Sequence, residues 1–407
     1  MTEQVTIASL GARGDGVTAQ GLFVAYALPG EEVSVEPMGD RARLVEVESP
    51  AVTRIQPACP HFTECGGCVI QHASDRLVAQ WKTGIIRAAL AARGIEGVEI
   101  RRMITSPPAA RRRITVTARR TKKTIQIGFH APNSERIVPI SACVVARPEL
   151  VDMLPRLEEL VAIAASRKGE VRLALTLTDG GVDLAISEAK EIDGPGRALL
   201  AGAANRAALA RLSWNGDVAL ERTPATVRMG SAVVHLPPGA FLQATAEGEA
   251  ALVVAVSEAV GDARRIVDLY AGVGTFALPL AERAEVTAFE GDHGAVAALD
   301  RAWRDAPAIP AVAAARRNLV QRPLLPAELT HVEAVVIDPP RAGARMQFEY
   351  LAKASVPRIA SVSCNPATFA RDARILIEGG YRLDWIQPVD QFRWAAHIEL
   401  AAQFSRI

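Results

Sequence analysis

The glycine-rich turn at residues 268–274, with the sequence DLYAGVG, constrains the fold more than any other stretch of the chain. It follows an apolar segment at 265–268 and precedes a segment of helical character at 275–282. Strand, tight glycine turn and helix in this order are typical of a doubly wound α/β sheet. The pattern continues with predicted strands at 286–290, 334–338, 359–363 and 397–404, and with predicted helices at 293–303 and 367–378. We therefore expect the chain to end in an α/β domain.

The glycine turn by itself does not identify the ligand that binds to it. Gly272 and Gly274, with Glu290 further along the chain, also fit the dinucleotide-binding fingerprint of dehydrogenases. Asp268 stands directly before the turn, where a carboxylate suits the cationic sulfonium of S-adenosylmethionine better than a pyrophosphate. The Asp-Pro-Pro stretch at 338–340 is typical of methyl-transfer sites that face a planar base. These two features favour a methyltransferase over a dehydrogenase.

A cysteine stands at the end of the predicted strand 359–363. Cys364 is followed directly by Asn-Pro, which ends a strand, so we expect its thiol at the edge where open α/β sheets bind ligands. Free cysteines are usually buried and unreactive, and that alternative stays open for Cys364 taken alone. Downstream, Glu399 is the acid of a His-x-Glu stretch on a strand that could lie beside the cysteine.

Composition limits the class of protein only weakly. The 407 residues include 46 basic and 45 acidic side chains, a balance that neither suggests nor excludes a nucleic-acid partner. The first residues lack the pattern of a signal peptide, and no apolar run reaches membrane-spanning length. The five cysteines do not have the spacing of a secreted disulfide framework. We therefore expect a cytoplasmic protein with no membrane partner.

Residues 1–52 contain several short strand-like segments separated by glycine turns. This spacing predicts a small barrel of the oligonucleotide-binding type, although a β-barrel without any ligand is the alternative. The chain length also predicts several domains, with boundaries that we place near residues 52 and 240.

A cysteine triplet follows the predicted barrel: Cys59, Cys65 and Cys68. Thiolates so close in sequence predict a metal site, because they can converge on one ion or cluster. A fourth ligand is needed, and Cys143 is the cysteine left outside the strand end described above. One triplet plus a remote cysteine favours a cubane iron–sulfur cluster over zinc. With zinc, His61 and His72 are alternative ligands, but we expect them at the surface or behind the ligands.

The segment between the triplet and the fourth cysteine is basic. No acid occurs from Arg101 to Lys123, a run that contains three adjacent arginines at 111–113. Residues 113–119 and 124–129 alternate like two paired strands. One face of this pair would display a stripe of cations that neutralises phosphates, although a merely solvated hairpin face is the alternative.

Five motifs together resemble the bacterial RNA (uracil-5-)-methyltransferases: Phe241-x-Gln243, the turn at 268–274, IDPPRAG at 337–343, SCNPAT at 363–368 and His397-x-Glu399. The four cysteines and an N-terminal barrel similar to the TRAM domain match the branch that acts on 23S ribosomal RNA, whereas the tRNA branch typically lacks both. The sequence departs from the family at Thr245 and Thr275, where asparagine is frequent, and at 392–396, which lacks a common proline and threonine.

The resemblance implies a role for each matching residue. Cys364 is implied as the nucleophile that adds to C6 of uracil, and Glu399 as the base that removes the C5 proton. The implied contacts of S-adenosylmethionine are Gln243, Tyr270, Thr275, Glu290, Asn318 and Asp338. Asp338 could instead touch the uracil edge. The implied ligands of a 4Fe-4S cluster are Cys59, Cys65, Cys68 and Cys143.

The resemblance also implies the organisation of the chain and its partner. A TRAM-like, RNA-binding barrel at 1–52 would precede a central iron–sulfur domain of α+β type at 53–240. A Rossmann-like methyltransferase domain at 241–407 would follow and carry the chemistry. We expect a monomer that methylates a uridine flipped out of a loop in 23S rRNA.

Other functions remain as alternatives at this point. One is a tRNA uracil-5-methyltransferase, and another is a non-catalytic iron–sulfur protein that binds RNA during ribosome assembly. The second alternative would not need Cys364 and Glu399 together. A cytosine-5 RNA methyltransferase is disfavoured, because that type has a second cysteine in the turn at 338–340 and none is present.

Overall fold

A closed barrel forms the N-terminal part of the computed structural model, which describes residues 2–166, 169–306 and 312–407. Its strands, in the order β1-β2-β3-β5-β4, are β1 (Glu3–Leu10), β2 (Gly16–Thr18), β3 (Phe23–Val24), β4 (Glu32–Met38) and β5 (Arg41–Ser49). Alternate residues point inward, as strand geometry requires, so that Val33 and Val35 of β4 are both fully buried. The predicted N-terminal barrel is confirmed.

The middle of the chain builds a mostly antiparallel sheet in the order β10-β9-β8-β11-β12-β13-β14. Its elements are β8 (Arg113–Arg120), β9 (Ile125–His130), β10 (Ile137–Pro139), α2 (Pro148–Met153), a 3-10 turn (Leu154–Leu157), α3 (Glu158–Ala164), β11 (Glu170–Thr178), β12 (Gly181–Ser187), α4 (Gly194–Arg206), β13 (Arg211–Trp214) and β14 (Asp217–Glu221). A hairpin of β15 (Thr226–Met229) and β16 (Ala232–His235) follows. The predicted pairing of β8 with β9 is confirmed.

The last part of the chain forms a large mixed sheet, which confirms the predicted doubly wound α/β domain. Its elements are α5 (Ala246–Val260), β17 (Arg265–Leu269), α6 (Ala277–Ala281), β18 (Glu285–Glu290), α7 (His293–Arg304), β19 (Val312–Arg316), a 3-10 turn (Pro326–Leu329), β20 (Ala334–Ile337), α8 (Arg345–Lys353), β21 (Arg358–Ser363), α9 (Pro366–Glu378), β22 (Tyr381–Asp390) and β23 (Glu399–Arg406). Strands β19-β18-β17-β20-β21 are parallel, and β23 runs antiparallel between β21 and β22.

Both faces of this sheet are buried, because consecutive residues of its strands pack into two different cores. Ile266 belongs to the core that α5, α6 and α7 cover, whereas Val267 belongs to the core on the opposite face. Helices α8 and α9 cover the second face together with α1 (Asp75–Ala91), an element from much earlier in the chain. Ser74 caps α1 by accepting a hydrogen bond from the Leu77 backbone N–H at 3.4 Å.

Residues 53–240 therefore do not keep to one sheet. Besides α1, the short strands β6 (Glu99–Ile100) and β7 (Ile104–Thr105) pair in parallel with β22 of the last sheet. The division of the chain at residues 52 and 240 stays a prediction. No helix in the described ranges is both long and apolar enough to cross a bilayer.

Local backbone features set the ends of the helices in the middle of the chain. α4 ends at Arg206, since Ala208 has a left-handed backbone (φ 58°) that a helix cannot continue through. Pro155, which has no N–H for an α-helical hydrogen bond, separates α2 from α3. Several elements were not predicted from the sequence: α1, α5, α8, β6, β7, β10, β19 and β22.

Candidate active site

Three functional side chains meet at one edge of the last sheet. Asp338 follows the end of β20, and Cys364 follows the end of β21. Glu399 is the first residue of β23, which pairs antiparallel with β21 so that Ser363 lies opposite Leu400. The next residues beyond this pair are Cys364 and Glu399, which therefore lie at the same edge of the sheet. The structure brings together the three residues that the motifs predicted separately.

The thiol of Cys364 lies in a negative environment. Burial raises the pKa of Cys364 to about 11, the carboxylates of Glu399 and Asp338 add to this shift, and the guanidinium of Arg341 opposes it. The thiol is therefore protonated at neutral pH when no substrate is bound. Thiolate formation must be coupled to a change in charge or to bond formation at the sulfur.

Glu399 and Asp338 form a buried pair of carboxyl groups. Glu399 is 5% exposed, and burial raises its pKa to about 7, against the lowering effect of a hydrogen bond from Gln391. The pKa of Asp338 is raised well above its usual value, first by burial and then by the charges of Glu399 and Asp268. Because two close carboxylates resist full ionisation, the pair can hold a proton near neutral pH.

Gln391, which the sequence analysis missed, connects this pair to a second loop. Its Nε2 donates to Glu399 Oε2 at 2.7 Å and to Gln243 Oε1 at 2.6 Å, and its Oε1 accepts from the Ala244 N–H at 2.7 Å. No sequence signal marked Gln391, because its partners in the 243–244 loop lie 147 and 148 residues away.

The glycine turn after β17 leaves an open space in front of the sheet. Gly272 has a positive φ of 55°, and a side chain added there would meet nothing within 4 Å. Glu290, at the end of β18, accepts hydrogen bonds from the backbone N–H groups of Gly272 (3.0 Å), Gly291 (2.6 Å) and Asp292 (2.9 Å). An ionised carboxylate has further lone pairs, so Glu290 can still accept ribose hydroxyls.

The remaining predicted cofactor residues lie around the same space, on several loops. Tyr270 ends β17 with an unusual left-handed φ of 63°, and burial raises the pKa of its hydroxyl to about 12. Thr275 is half-buried in the turn before α6. Asn318 follows β19 and accepts backbone hydrogen bonds from Val320 and Gln321 at 3.1 and 3.2 Å.

Asp268 provides a test of whether a cationic cofactor fits here. It is fully buried, and its carboxylate oxygens have no well-aligned hydrogen-bond partner among the described residues. Burial raises the pKa of Asp268 to about 8, although the backbone N–H of Ala277 is close enough to oppose this shift. A buried carboxylate with so little hydrogen bonding is costly, and a nearby cation would favour its ionised form. The residues present therefore fit a ligand that carries both a positive group and a ribose.

The four remaining cysteines, Cys59, Cys65, Cys68 and Cys143, line one cavity of about 420 Å³. Backbone N–H groups of Gly67 and Ala146 donate to the sulfurs of Cys65 and Cys143 at 3.4 and 3.5 Å. Gly66 is required at this point, because a Cβ there would lie 2.8 Å from the carbonyl oxygen of His130. His397, two residues before Glu399, lines the same cavity, which therefore reaches the last domain.

Four cysteine thiols are the kind of ligand set that an iron–sulfur cluster takes. Within the described ranges, however, no three His, Cys, Asp or Glu side chains form a group that could hold a metal ion. The iron–sulfur cluster therefore stays a prediction. The buried guanidinium of Arg111 faces Cys68 and Cys143 and can offset the negative charge of thiolates.

The two nearby histidines have other roles. His61 Nε2 accepts a hydrogen bond from the Ser141 N–H at 3.2 Å. His72 is only 1% exposed and packs against the rings of Tyr26 and Phe62, with neither ring nitrogen hydrogen-bonded to a described residue. The expectation of a surface position is wrong for His72.

Two arginines of the basic run are paired with acids in the structure, and phosphate binding by the rest of the run stays a prediction. Arg112 forms an ion pair with Glu249 of α5, and its Nε donates to the backbone oxygen of Gln243 at 3.2 Å. On β8, Arg119 is paired with Glu170. The balancing acids come from distant parts of the chain, which the local absence of acids could not reveal.

The departures at Thr245 and at 392–396 make contacts within the protein. Thr245 caps α5 by accepting a hydrogen bond from the Gly248 N–H at 3.0 Å. Arg393 bonds to Asp75 at the start of α1, with its Nη2 2.7 Å from Oδ2. Trp394 is buried in an apolar cluster that contains residues of the barrel and of α1. Arg393 and Trp394 thus connect the loop before Glu399 to other parts of the chain.

Comparisons with known proteins agree with this geometry. A family model described as tRNA (Uracil-5-)-methyltransferase matches residues 323–407. An uncharacterized RNA methyltransferase of Brucella suis is 42% identical over 100% of this chain and 98% of its own length. A 23S rRNA (uracil(1939)-C(5))-methyltransferase of Halomonas elongata is 31% identical over 95% of this chain and 84% of its own length.

One solved structure is similar over nearly the whole chain. It is the Pyrococcus abyssi tRNA (uracil-54, C5)-methyltransferase in complex with S-adenosyl-L-homocysteine. The two chains are 25% identical and superpose with a TM-score of 0.77 over 98% of this chain and 99% of the other. The similarity thus includes the barrel, the middle sheet and the last sheet.

The reactivity of Cys364 should report the charges around it. Replacing Glu399 by Gln removes a carboxylate that is ionised at about pH 8, so the thiol pKa should fall and alkylation by iodoacetamide should speed up roughly three- to tenfold. Asp338→Asn should change the rate less, because the charge of Asp338 raises the thiol pKa less than that of Glu399 does. Arg341→Gln should slow the reaction. Peptide mass spectrometry measures the rate at Cys364 itself.

The matched control for this experiment is Glu285→Gln, which removes an exposed acid at the start of β18, on the opposite edge of the sheet. It should leave the alkylation rate unchanged. Equal rates in the parent protein and in Glu399→Gln would show that Glu399 does not act on the thiol.

Proposed function

The chain belongs to the family of S-adenosylmethionine-dependent RNA (uracil-5-)-methyltransferases, and on that premise we propose that its substrate is a uridine of 23S rRNA. The observation that carries the proposal is the meeting of Cys364, Glu399 and Asp338 at one sheet edge beside the open space of the glycine turn. A non-catalytic RNA-binding protein would not need this arrangement.

Two observations favour ribosomal RNA over tRNA as the substrate. The relative that acts on 23S rRNA is 31% identical to this chain, whereas the tRNA enzyme with a solved structure is 25% identical. The cavity lined by four cysteines matches what the family resemblance implies for the ribosomal branch. The N-terminal barrel does not separate the two substrates, because the solved tRNA enzyme is similar over 98% of this chain, barrel included. The barrel would bind RNA near the flipped uridine.

We assign the covalent step to Cys364. C5 of uracil is too weak a nucleophile to accept a methyl group directly. The thiol loses its proton to solvent as the sulfur adds to C6, and the electron pair moves onto C5 and the O4 carbonyl. S-adenosylmethionine, when bound, supplies the methyl group that C5 accepts and is left as S-adenosylhomocysteine. Glu399 then takes the proton from C5, the C5–C6 double bond re-forms, and the bond between sulfur and C6 breaks.

The acid–base properties of Glu399 suit this role. A general base is most effective when its pKa lies near the working pH, and burial places the pKa of Glu399 at about 7. Asp338, whose pKa is also raised by burial, could donate a hydrogen bond to the uracil edge when it holds the proton of the pair. It could equally contact the cofactor, as the family resemblance implies.

We assign the cofactor contacts to the residues around the glycine turn. Glu290 would accept the ribose hydroxyls, and Asp268 would provide negative charge near the sulfonium. The other contacts would come from Gln243, Tyr270, Thr275 and Asn318. Cys59, Cys65, Cys68 and Cys143 would hold a 4Fe-4S cluster that stabilises the segment between the barrel and the last sheet.

Mapping 5-methyluridine in ribosomal RNA tests the substrate. In a strain that lacks the gene, we expect at least one 5-methyluridine of 23S rRNA to become unmodified uridine. The parent gene should restore the methyl group, and Cys364→Ala should not. If every 23S position stays methylated and a tRNA position loses its methyl group, the tRNA alternative is correct.

Trapping of the covalent intermediate tests the two catalytic roles. Cys364→Ala should form no adduct, since no bond to C6 can form. In Glu399→Gln the sulfur can add and C5 can be methylated, but the C5 proton stays and elimination stalls. Methylated RNA should then migrate with the protein on a denaturing gel. A Glu399→Gln protein that turns over at the parent rate, or that is inactive without trapping RNA, would remove Glu399 from the role of base.

The iron content of the protein tests the cysteine assignment. Anaerobically purified protein should be brown and contain about four irons and four labile sulfides per chain. Cys143→Ala should lose most of both, whereas Cys364→Ala, outside the cavity, should keep them. Stoichiometric zinc without sulfide in anaerobic preparations would contradict the assignment.

A further inference from the structure

Both polar side-chain atoms of Gln391 form hydrogen bonds within the protein. It is 1% exposed and lies in the loop between β22 and β23. The Ala244 N–H can only donate, so the atom that faces it at 2.7 Å must be the amide oxygen of Gln391. The amide nitrogen therefore faces Gln243 Oε1 and Glu399 Oε2, at 2.6 and 2.7 Å. The neighbours of Gln391 thus define the orientation of its amide.

We propose that Gln391 is a positioning residue, which holds one oxygen of Glu399 in its ionised form and leaves the other oxygen available for the proton of the substrate. This inference rests on the proposed function, because the role of Glu399 as base is part of that function. The two N–H groups of Gln391 are shared between the base and Gln243, so the same amide relates the base to the loop implied in cofactor binding.

The loop that carries Gln391 is held on both sides by one buried cation. Lys82 of α1 donates from Nζ to Asp390 Oδ1 at 2.7 Å and to the Phe392 backbone oxygen at 3.1 Å. The side chains of Lys82 and Asp390 are 0% and 1% exposed. Asp390 Oδ1 also accepts from the Phe392 N–H at 3.1 Å. Because the residues before and after Gln391 bind the same ammonium, its backbone has little freedom to move.

The groups around Glu399 disfavour its carboxylate form, so this form depends on the hydrogen bond from Gln391. Asp338, at the end of β20, and Cys364, at the end of β21, carry negative charge when ionised, and burial also disfavours the carboxylate form of Glu399. Arg341 faces the thiol. Gln391 is the hydrogen-bond donor that the structure gives to Glu399 Oε2. Its removal should raise the pKa of Glu399, so that a higher pH is needed to ionise the base.

The test uses two variants of Gln391 and one matched control. Gln391→Met keeps the approximate volume without polar atoms, and Gln391→Glu keeps the shape and the acceptor for Ala244 but places a second carboxylate beside Glu399. Gln387→Met removes a buried amide from β22 that bonds to the backbone of Arg102 and Pro388 and not to Glu399. Single-turnover methylation of a 23S rRNA fragment is measured from about pH 6 to about pH 9.5.

The base acts as a carboxylate, so the parent rate should fall as the pH decreases through about 7. In both Gln391 variants the pH at which the rate falls to half should rise by about one unit. The variants should then be roughly tenfold slower than the parent near pH 6 and within about threefold of it above pH 9. The control should keep the parent pH dependence. If the rate of both variants falls by the same factor at every pH and the pH dependence does not shift, the role of Gln391 is merely structural and the inference is overturned.

A second measurement does not depend on turnover. In protein labelled with ¹³C at the glutamate carboxyl carbon, the resonance missing from Glu399→Gln belongs to Glu399, and its titration midpoint should rise in Gln391→Met. An unshifted midpoint overturns this inference whatever the activity. A parent enzyme that methylates no uridine overturns the proposed function instead, so the two failures can be told apart.

Discussion

The reversal of one strand is the constraint on which the site depends. Because β23 runs antiparallel to β21, its first residue, Glu399, lies at the edge where the parallel strands β20 and β21 end. Neighbouring strands are about 4.8 Å apart, so the start of β23 comes close to Cys364. Had β23 been parallel, its eight residues would have placed Glu399 roughly 25 Å away, at the opposite edge. No side chain could cover that distance.

The burial that suits Glu399 to the proposed role of base also disfavours the thiolate form of Cys364 in the free protein. The thiol, with a pKa of about 11, holds its proton more tightly than Glu399, with a pKa of about 7. Loss of the thiol proton at neutral pH is therefore unfavourable by itself. In the proposed mechanism this proton goes to solvent, so that Glu399 stays ionised for the C5 proton. Addition to uracil favours the loss, since the negative charge then moves from sulfur to the more dispersed C5–C4–O4 system. Burial would thus link nucleophile formation to the presence of the substrate.

The sequence could predict the parts of the fold and site that local pattern determines. The glycine turn and its flanking strands predicted the last sheet, and the residue types at the strand ends pointed to Cys364 and Asp338. Pairings between distant segments could not be predicted. The basic run around Arg112 suggested phosphate binding, because the acid that pairs with Arg112, Glu249, lies 137 residues further on and outside that segment. Lys82 and Asp390 are 308 residues apart, so neither the cation nor the acid looked unusual in its own segment.

The loop before Glu399 shows why such distant pairings matter for chemistry. Loops are usually mobile, whereas proton transfer needs a base held within hydrogen-bond reach of its target. Breaking a buried pair such as Lys82–Asp390 typically costs about 3–5 kcal/mol, which strongly disfavours displacement of the loop. On its other side, the backbone oxygen of Trp394 accepts from the Val69 and Ile70 N–H groups at 2.8 and 3.3 Å.

Those two N–H groups directly follow Cys68, so the cysteine segment and the loop that carries the base share backbone hydrogen bonds. A cluster bound by that segment would be far from the chemistry in sequence and would take no part in it. By ordering residues 59–70, it would still limit the positions available to Trp394 and thereby to Glu399. In this arrangement the proposed cluster and the proposed base would be coupled through one short stretch of backbone.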